Sequence, residues 1–189
     1  MAQQFAQIEP AQRDFILRQH KFFVATAASG GRVNLSPKGL DALRVLGSNA
    51  VAYLDLTGSG NETAAHLRAD GRLTLMLCAF EGPPRILRLY GHGRVLRRGT
   101  ADYARLLAEA FDGEEPLGAR QIVLLEVDLV QTSCGFGVPL YDYRGERPAL
   151  VRWAEAKGAE GLEAYRREHN AQSIDGLSTG LLEEETITA

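Results

Sequence analysis

Residues 32–39 read Arg-Val-Asn-Leu-Ser-Pro-Lys-Gly (RVNLSPKG) and begin as a β-strand. Val33 and Leu35 alternate with Asn34 and Ser36, which is the period-two pattern of a half-buried strand. A strand that only had to reverse could use Asn-Gly or Asp-Gly. The Ser-Pro-Lys-Gly ending therefore raises the question of what else this strand end does.

Two interpretations of that ending are open. In the first, Pro37 ends the strand because it lacks a ladder donor, and Gly39 allows an unusual backbone angle. Ser36 and Lys38 then face one phosphate, and Lys38→Ala should weaken binding of a phosphorylated ligand without affecting folding. In the second, the stretch is a solvent-exposed turn with no ligand.

The rest of the chain predicts a mainly β (α+β) protein. Strands are expected at residues 21–28, 50–56, 72–80, 86–96 and 121–130, and Gly30 and Gly31 predict a hairpin before residues 32–36. Short helices are expected at residues 9–20, 60–69 and 101–111, the last with Thr100 as its N-cap. Six short strands, mostly antiparallel, predict a small barrel.

The pattern changes after Pro148. Residues 149–170 predict two helices broken near Gly158 and Gly161, and the sequence then becomes polar. We therefore divide the chain into a barrel at residues 1–135, a helical C-terminal extension at 136–172 packing on it, and a loose tail at 173–189.

Composition limits the classes of function. The 189 residues contain 21 Lys and Arg against 24 Asp and Glu, a net charge of −3, which gives no support for a nucleic-acid or membrane partner. Cys78 and Cys134 do not form a Cys-x-x-Cys pair, and the four histidines lack metal spacing, so no metal site is predicted. Without a signal sequence or a long apolar run, we expect a cytoplasmic protein.

Residues 57–63 (TGSGNET) form a glycine-rich turn between a strand and a helix. This is the outline of a dinucleotide-binding unit, but Thr63 replaces the third glycine and no further βαβ unit follows, which argues against a doubly wound sheet. Ser59 and Glu62 have the spacing of a capping box. Asn61 and Thr63 at a helix N-terminus could alternatively bind an anion.

The order of these pieces, followed by ILRLYGHGRV at residues 86–95, resembles the pyridoxamine 5'-phosphate oxidase-related, FMN-binding split-barrel family. The resemblance spans about residues 10–135 and rests on SPKG, the Gly-Asn turn and Leu-Arg-x-x-Gly-x-Gly. It implies a six-stranded antiparallel split barrel with flanking helices. It also implies a homodimer with one FMN at each of two sites made by both subunits.

The resemblance further implies a flavoprotein oxidoreductase that transfers hydride through FMN to or from an unknown small molecule. It assigns no catalytic side chain. The residues that it places at the cofactor are Arg32, Val33, Asn34, Ser36, Lys38, Asn61, Thr63, His66 and Arg88, the last reaching the flavin across the dimer.

One position departs from the family. Glu62 and Thr63 stand where characterised oxidases carry basic residues that hold the phosphate, and a carboxylate repels a phosphate. Either Glu62 turns away in its capping box, or FMN is not the ligand. The alternative functions are a non-catalytic flavin-binding sensor or carrier module and a deazaflavin-dependent reductase.

Overall fold

The computed structural model describes residues 2–183, which form eight strands and four helices. The strands are β1 (Gln3–Phe5), β2 (Phe22–Thr26), β3 (Asn34–Lys38), β4 (Leu43–Gly47), β5 (Ala50–Leu56), β6 (Arg72–Cys78), β7 (Ile86–Arg97) and β8 (Ala119–Ser133). The helices are α1 (Pro10–Leu17), α2 (Glu62–Ala69), α3 (Ala101–Ala110) and α4 (Ala149–His169). In this range no helix combines the length and the hydropathy that crossing a membrane requires.

All strand pairings are antiparallel, in the order β3-β2-β6-β7-β8-β5-β4, with β1 beside β8. The predicted split-barrel class is confirmed, but the described sheet has eight strands rather than six and its hydrogen-bonded path stays open between β3 and β4. The pattern does not predict β1, which has three residues, or β4, whose side chains are mostly half-buried on both faces. Neither strand shows the alternation that signals a sheet.

The main core lies on one face of the sheet. Val24, Leu75 and Leu89 are fully buried there, one from each of three neighbouring strands. A second apolar cluster forms where α3 packs Tyr103 and Leu107 against β5 and β8. These two strands are therefore buried on both faces, which explains their nearly continuous apolar sequences.

Packing requires glycine at both glycine positions of the Leu-Arg-x-x-Gly-x-Gly pattern, but for different reasons. A Cβ on Gly91 would lie 1.9 Å from the backbone oxygen of Glu126, at the bulge where the β7–β8 register shifts. A Cβ on Gly93 would lie 2.7 Å from Leu73 and 2.8 Å from Leu67. The first glycine allows two strands to approach, and the second lets α2 pack on β7.

Two expectations for residues 37–41 were wrong. Pro37 does not end the strand; it lies inside β3, opposite Phe23. This is possible because β3 is an edge strand, so a missing backbone donor breaks no ladder bond on its open side. The left-handed backbone angles fall on Leu40 (φ 58°) and Asp41 (φ 49°) rather than on Gly39.

The caps gave one confirmed prediction and one wrong one. Thr100 caps α3, where its hydroxyl accepts the Tyr103 N–H at 3.2 Å. The capping box of Ser59 with Glu62 does not form, because Asn61 is the N-cap of α2. The Glu62 carboxylate instead accepts the N–H of Ile174, at 3.1 and 3.2 Å to its two oxygens.

The C-terminal extension contains the predicted break. Gly158 (φ 65°, ψ 177°) interrupts α4, so the helix consists of two helical pieces joined by a kink. A loose tail was predicted from residue 173 onwards, but within residues 173–183 Ser173 and Thr179 are buried and hydrogen-bonded. The rest of the predicted tail, residues 184–189, lies outside the described residues.

Candidate functional site

Strand β3 presents three of the predicted site residues on one face of the sheet. Asn34, Ser36 and Lys38 lie opposite Thr26, Val24 and Phe22 of β2. Cross-strand partners share a face, and Val24 and Phe22 belong to the main core, so these three polar side chains point to the core side.

A partly buried cluster of amide and hydroxyl groups forms where β3 meets α2. Asn34 Nδ2 donates to Thr26 Oγ1 at 3.1 Å and to Thr63 Oγ1 at 3.2 Å. Ser36 Oγ donates to Asn34 Oδ1 at 3.0 Å. Thr26 Oγ1 lies 3.0 Å from Nδ1 of His66, which is 1% exposed. We call these five residues the polar cluster.

The second imidazole nitrogen of His66 is the unexplained atom of this cluster. Among residues 2–183 it has no hydrogen-bond partner, although it is fully buried. If the Thr26 hydroxyl donates to Nδ1, the proton of a neutral ring lies on Nε2. Buried polar groups without a partner are rare in folded proteins, and a ligand is one of the ways in which such a group is satisfied.

An ion network adjoins the polar cluster. Asp55 is 2% exposed and accepts from Lys38 Nζ at 2.6 Å, Arg120 Nη2 at 2.6 Å and Gln121 Nε2 at 2.9 Å. Gln121 also donates to Asn61 Oδ1 at 2.8 Å. Burial alone raises the pKa of Asp55, but the charges of Arg120 and Lys38 outweigh it and hold the pKa well below its usual range. Two cations on one carboxylate leave one positive charge in excess.

The C-terminal extension completes this network through Asn170, which is fully buried. Its Oδ1 accepts from Arg120 Nη1 at 2.7 Å, and its Nδ2 donates to the Gly58 carbonyl at 3.1 Å. Asn61 Nδ2 donates to the Asn170 carbonyl at 3.3 Å. Asn170, the residue that follows α4, therefore fixes the position of the glycine-rich turn at residues 57–63 through these hydrogen bonds.

The structure gathers six of the nine predicted cofactor residues: Asn34, Ser36, Lys38, Asn61, Thr63 and His66. Arg32 lies at the edge, where its side chain is 72% exposed and pairs with Asp175. Val33 is exposed, away from the cluster. Arg88 lies on the opposite face of the sheet, because its neighbours on β7 belong to the core, and donates to Ser133 Oγ at 3.4 Å.

Sequence reasoning missed six residues of the site: Thr26, Asp55, Arg120, Gln121, Asn170 and Asp175. Only Asp55 carried a signal, because a carboxylate inside the apolar segment AVAYLDL must be buried and therefore needs a cationic partner. Within residues 2–183 no group of three or more His, Cys, Asp or Glu side chains could hold a metal ion.

A cavity of about 1380 Å³ opens beside Lys38. It lies between the end of α1, residues 79–85 and residues 141–150. Aromatic contacts line it: His20 stacks on Tyr143 with ring centres 3.6 Å apart, and Lys21 Nζ lies 4.4 Å from the Phe80 ring centre. Its mixture of aromatic and charged groups suits a small-molecule ligand.

Comparison with known proteins identifies the family. The sequence profile described as pyridoxamine 5'-phosphate oxidase matches residues 8–134. The chain belongs to the pyridoxamine 5'-phosphate oxidase family. A pyridoxamine 5'-phosphate oxidase family protein from Aspergillus flavus, ustO, is 41% identical over 181 residues, covering 87% of this chain and 72% of that protein. The resemblance inferred from SPKG, the turn and the glycine pattern is thus confirmed.

Solved structures agree with this family's fold. The HupZ protein of Group A Streptococcus aligns with a TM-score of 0.55 at 19% identity, over 67% of this chain and 99% of HupZ. A candidate pyridoxamine 5'-phosphate oxidase from Lactobacillus delbrueckii, LDB0262, aligns with a TM-score of 0.53 at 16% identity, over 67% of this chain and 94% of LDB0262. At these identities the likeness concerns the fold alone.

Proposed function

We propose that this chain binds FMN at the polar cluster and acts as an oxidoreductase on an unidentified small molecule. The observation that carries the proposal is the unpartnered, buried Nε2 of His66. It lies in a cluster built by β3 and the start of α2, the two segments that the family resemblance assigns to the cofactor. An acceptor atom of a flavin is the kind of group that would satisfy this donor.

Charge on the Lys38 side supports binding of the acceptor atoms of the flavin ring. The network of Lys38, Asp55 and Arg120 has one excess positive charge, and Lys38 is its most accessible member, with a side chain that is 25% exposed. The large cavity borders Lys38, so a ligand there would meet this charge directly. Low-dielectric surroundings strengthen such an attraction.

The residues present would have distinct roles. Asn34 and Ser36 form a chain of hydrogen bonds that fixes the orientation of the Thr26 and Thr63 hydroxyls. Asp55 holds Lys38 in one position through the 2.6 Å contact. Bound flavin supplies the hydride chemistry, while the protein supplies binding, orientation and electrostatics.

The first experiment is the visible spectrum of the purified protein, followed by mass analysis of the molecule that heat releases. We expect a flavin spectrum and the mass of FMN. A pair of variants then locates the site. His66→Leu should lower flavin occupancy, whereas replacement of the half-exposed His169 in the control His169→Leu should not. A colourless protein that binds no added FMN would contradict the proposal, and the mass of a deazaflavin would redirect it to a deazaflavin-dependent reductase.

A non-catalytic flavin-binding module is the second candidate. It is favoured by the state of the charged groups, because Lys38 and Asp55 are engaged with each other in an ion pair and neither is free for proton transfer. The two candidates differ in turnover. Anaerobic mixing with NADH, NADPH and small electron acceptors should reduce and reoxidise the flavin of an oxidoreductase, whereas a carrier would show only binding.

We also propose that the chain acts as a homodimer. The sheet face opposite the polar cluster carries Phe23, Met76, Arg88 and Gln131 in one row across β2, β6, β7 and β8, all half-buried. Leu35 of the same face is 63% exposed. A second copy packed on this face would cover apolar surface and would bring Arg88 to an interface.

A further inference from the structure

The segment after α4 lies across the start of α2. We call residues 170–183 the C-terminal strap. Its base is buried: Asn170 is held by Arg120, and Thr179 Oγ1 donates to the Asn170 carbonyl at 2.8 Å. Its far end is held by Arg97, which donates to the carbonyl oxygens of Gly180 and Glu183 at 3.2 and 2.6 Å.

Between these two attachments, the strap tip contacts the edge of the proposed cofactor site. The Ile174 N–H donates to the Glu62 carboxylate at the first residue of α2. The Asp175 carboxylate accepts the Arg32 N–H at 2.7 Å and pairs with the Arg32 guanidinium. The hydrogen bonds with Arg32 and the charge of its guanidinium lower the pKa of Asp175, although desolvation opposes this shift.

The tip and the base of the strap differ in how firmly they are held. Asn170 is fully buried, whereas Ile174 is 73% exposed and the Asp175 side chain, itself 15% exposed, pairs with an Arg32 side chain that is 72% exposed. Exposed ion pairs contribute little to stability, whereas buried hydrogen-bonded groups are costly to disrupt. The tip can therefore leave its position while the base stays in place.

We propose that the strap tip occupies the phosphate end of the flavin site, so that Asp175 stands where the ligand's anion binds and the two compete. The proposal rests on the proposed function. With the tip in place, the Glu62 carboxylate accepts a backbone N–H. Displacement of the tip leaves this carboxylate beside the phosphate, which adds to the cost of binding. Displacement of the tip frees the Arg32 guanidinium for an anion.

The consequence is a reduced apparent affinity, since cofactor binds only the fraction of molecules whose tip is displaced. Asp175→Ala removes the competing carboxylate and should tighten FMN binding by up to roughly fivefold, the effect of losing one ion pair with an exposed partner. Riboflavin lacks the phosphate and should gain less. The matched control is Asp102→Ala, which removes a half-exposed carboxylate paired with Arg105 on α3 and should change neither affinity.

Fluorescence titration of the full-length chain with FMN and riboflavin provides the affinities, and hydrogen exchange of residues 173–177 provides a readout independent of activity. We expect FMN to accelerate exchange of the Ile174 amide in the parent protein. Unchanged exchange together with equal or weaker FMN binding by Asp175→Ala would overturn the strap proposal alone. If neither protein binds FMN or riboflavin, the proposed function and the strap proposal both fail.

Discussion

Replacing Asp55 with asparagine tests the ion network on which the candidate site is built. The carboxylate is buried and accepts from Lys38, Arg120 and Gln121. Asparagine has nearly the same shape, so the change removes charge without leaving a large cavity. It leaves the Arg120 guanidinium, with a side chain 3% exposed, without its charged partner.

The expected cost follows from that uncompensated charge. Removing one partner of a buried ion pair typically destabilises a protein by about 3–5 kcal/mol. For a chain of this size, about 2–4 °C are lost per kcal/mol, so the melting temperature should fall by roughly 6–20 °C. The double variant Asp55→Asn with Lys38→Met should recover part of this loss, because it removes one of the two stranded cations.

The acid dependence gives a second readout with a defined sign. The pKa of Asp55 is lowered by folding, so its contribution is fully present above the unfolded pKa of about 3.9 and is lost as the pH falls towards the folded value. Asp55→Asn lacks this contribution. The difference in melting temperature between parent and variant should therefore shrink below about pH 4.

Calorimetry at neutral and acid pH measures both effects, with Asp102→Asn as the control. Asp102 pairs with Arg105 at 2.7 Å, but its side chain is 49% exposed, so its removal should cost less than about 1 kcal/mol. If the free energy of unfolding of Asp55→Asn lies within about 1 kcal/mol of the parent value, the buried network does not stabilise the fold and the reasoning is refuted.

Four further outcomes are expected. Lys38→Met should weaken binding of FMN and of riboflavin alike, by about 1.5–3 kcal/mol, because Lys38 would contact the flavin ring that both share. It should also lower the melting temperature, because Asp55 loses a partner. Unchanged titrations would show that Lys38 takes no part in flavin binding. Gly91→Ala should destabilise by more than about 3 kcal/mol in denaturant unfolding, whereas Gly47→Ala, with open space around it, should not. Thr100→Ala should cost about 1 kcal/mol in the same assay, and no loss would mean that the cap is dispensable. Light scattering should give a molecular mass of about twice the 20.6 kDa of one chain. A monomer that holds FMN would contradict the proposed homodimer.

The sequence predicted the parts of this protein whose causes are local. The strand at residues 50–56, the Thr100 cap and the break at Gly158 all follow from period, capping chemistry and glycine, and all three are confirmed. The order of SPKG, the turn and the glycine pattern predicted the family. Errors arose where the position of an element in the sheet overrides a local rule. Pro37 was expected to end its strand, but it is tolerated inside β3 because β3 lies at the edge of the sheet.

The contacts that define the site depend on the tertiary structure. The sequence predicted Lys38 to be free for a phosphate and its loss to leave folding unchanged, but Asp55 engages it from another strand. Likewise, the predicted Ser59–Glu62 capping box does not form, and the Glu62 carboxylate accepts the N–H of Ile174, which is 112 residues away in sequence.

Distance along the chain explains this division. Alternation, caps and turn residues act within a few positions, so the sequence by itself determined the strands, most of the helices and the class of fold. Asp55 and Arg120 are 65 residues apart, and Arg32 and Asp175 are 143 apart. Which carboxylate meets which cation is set by strand order and by the path of the strap, because an ion pair forms only where folding brings two charges within a few ångströms.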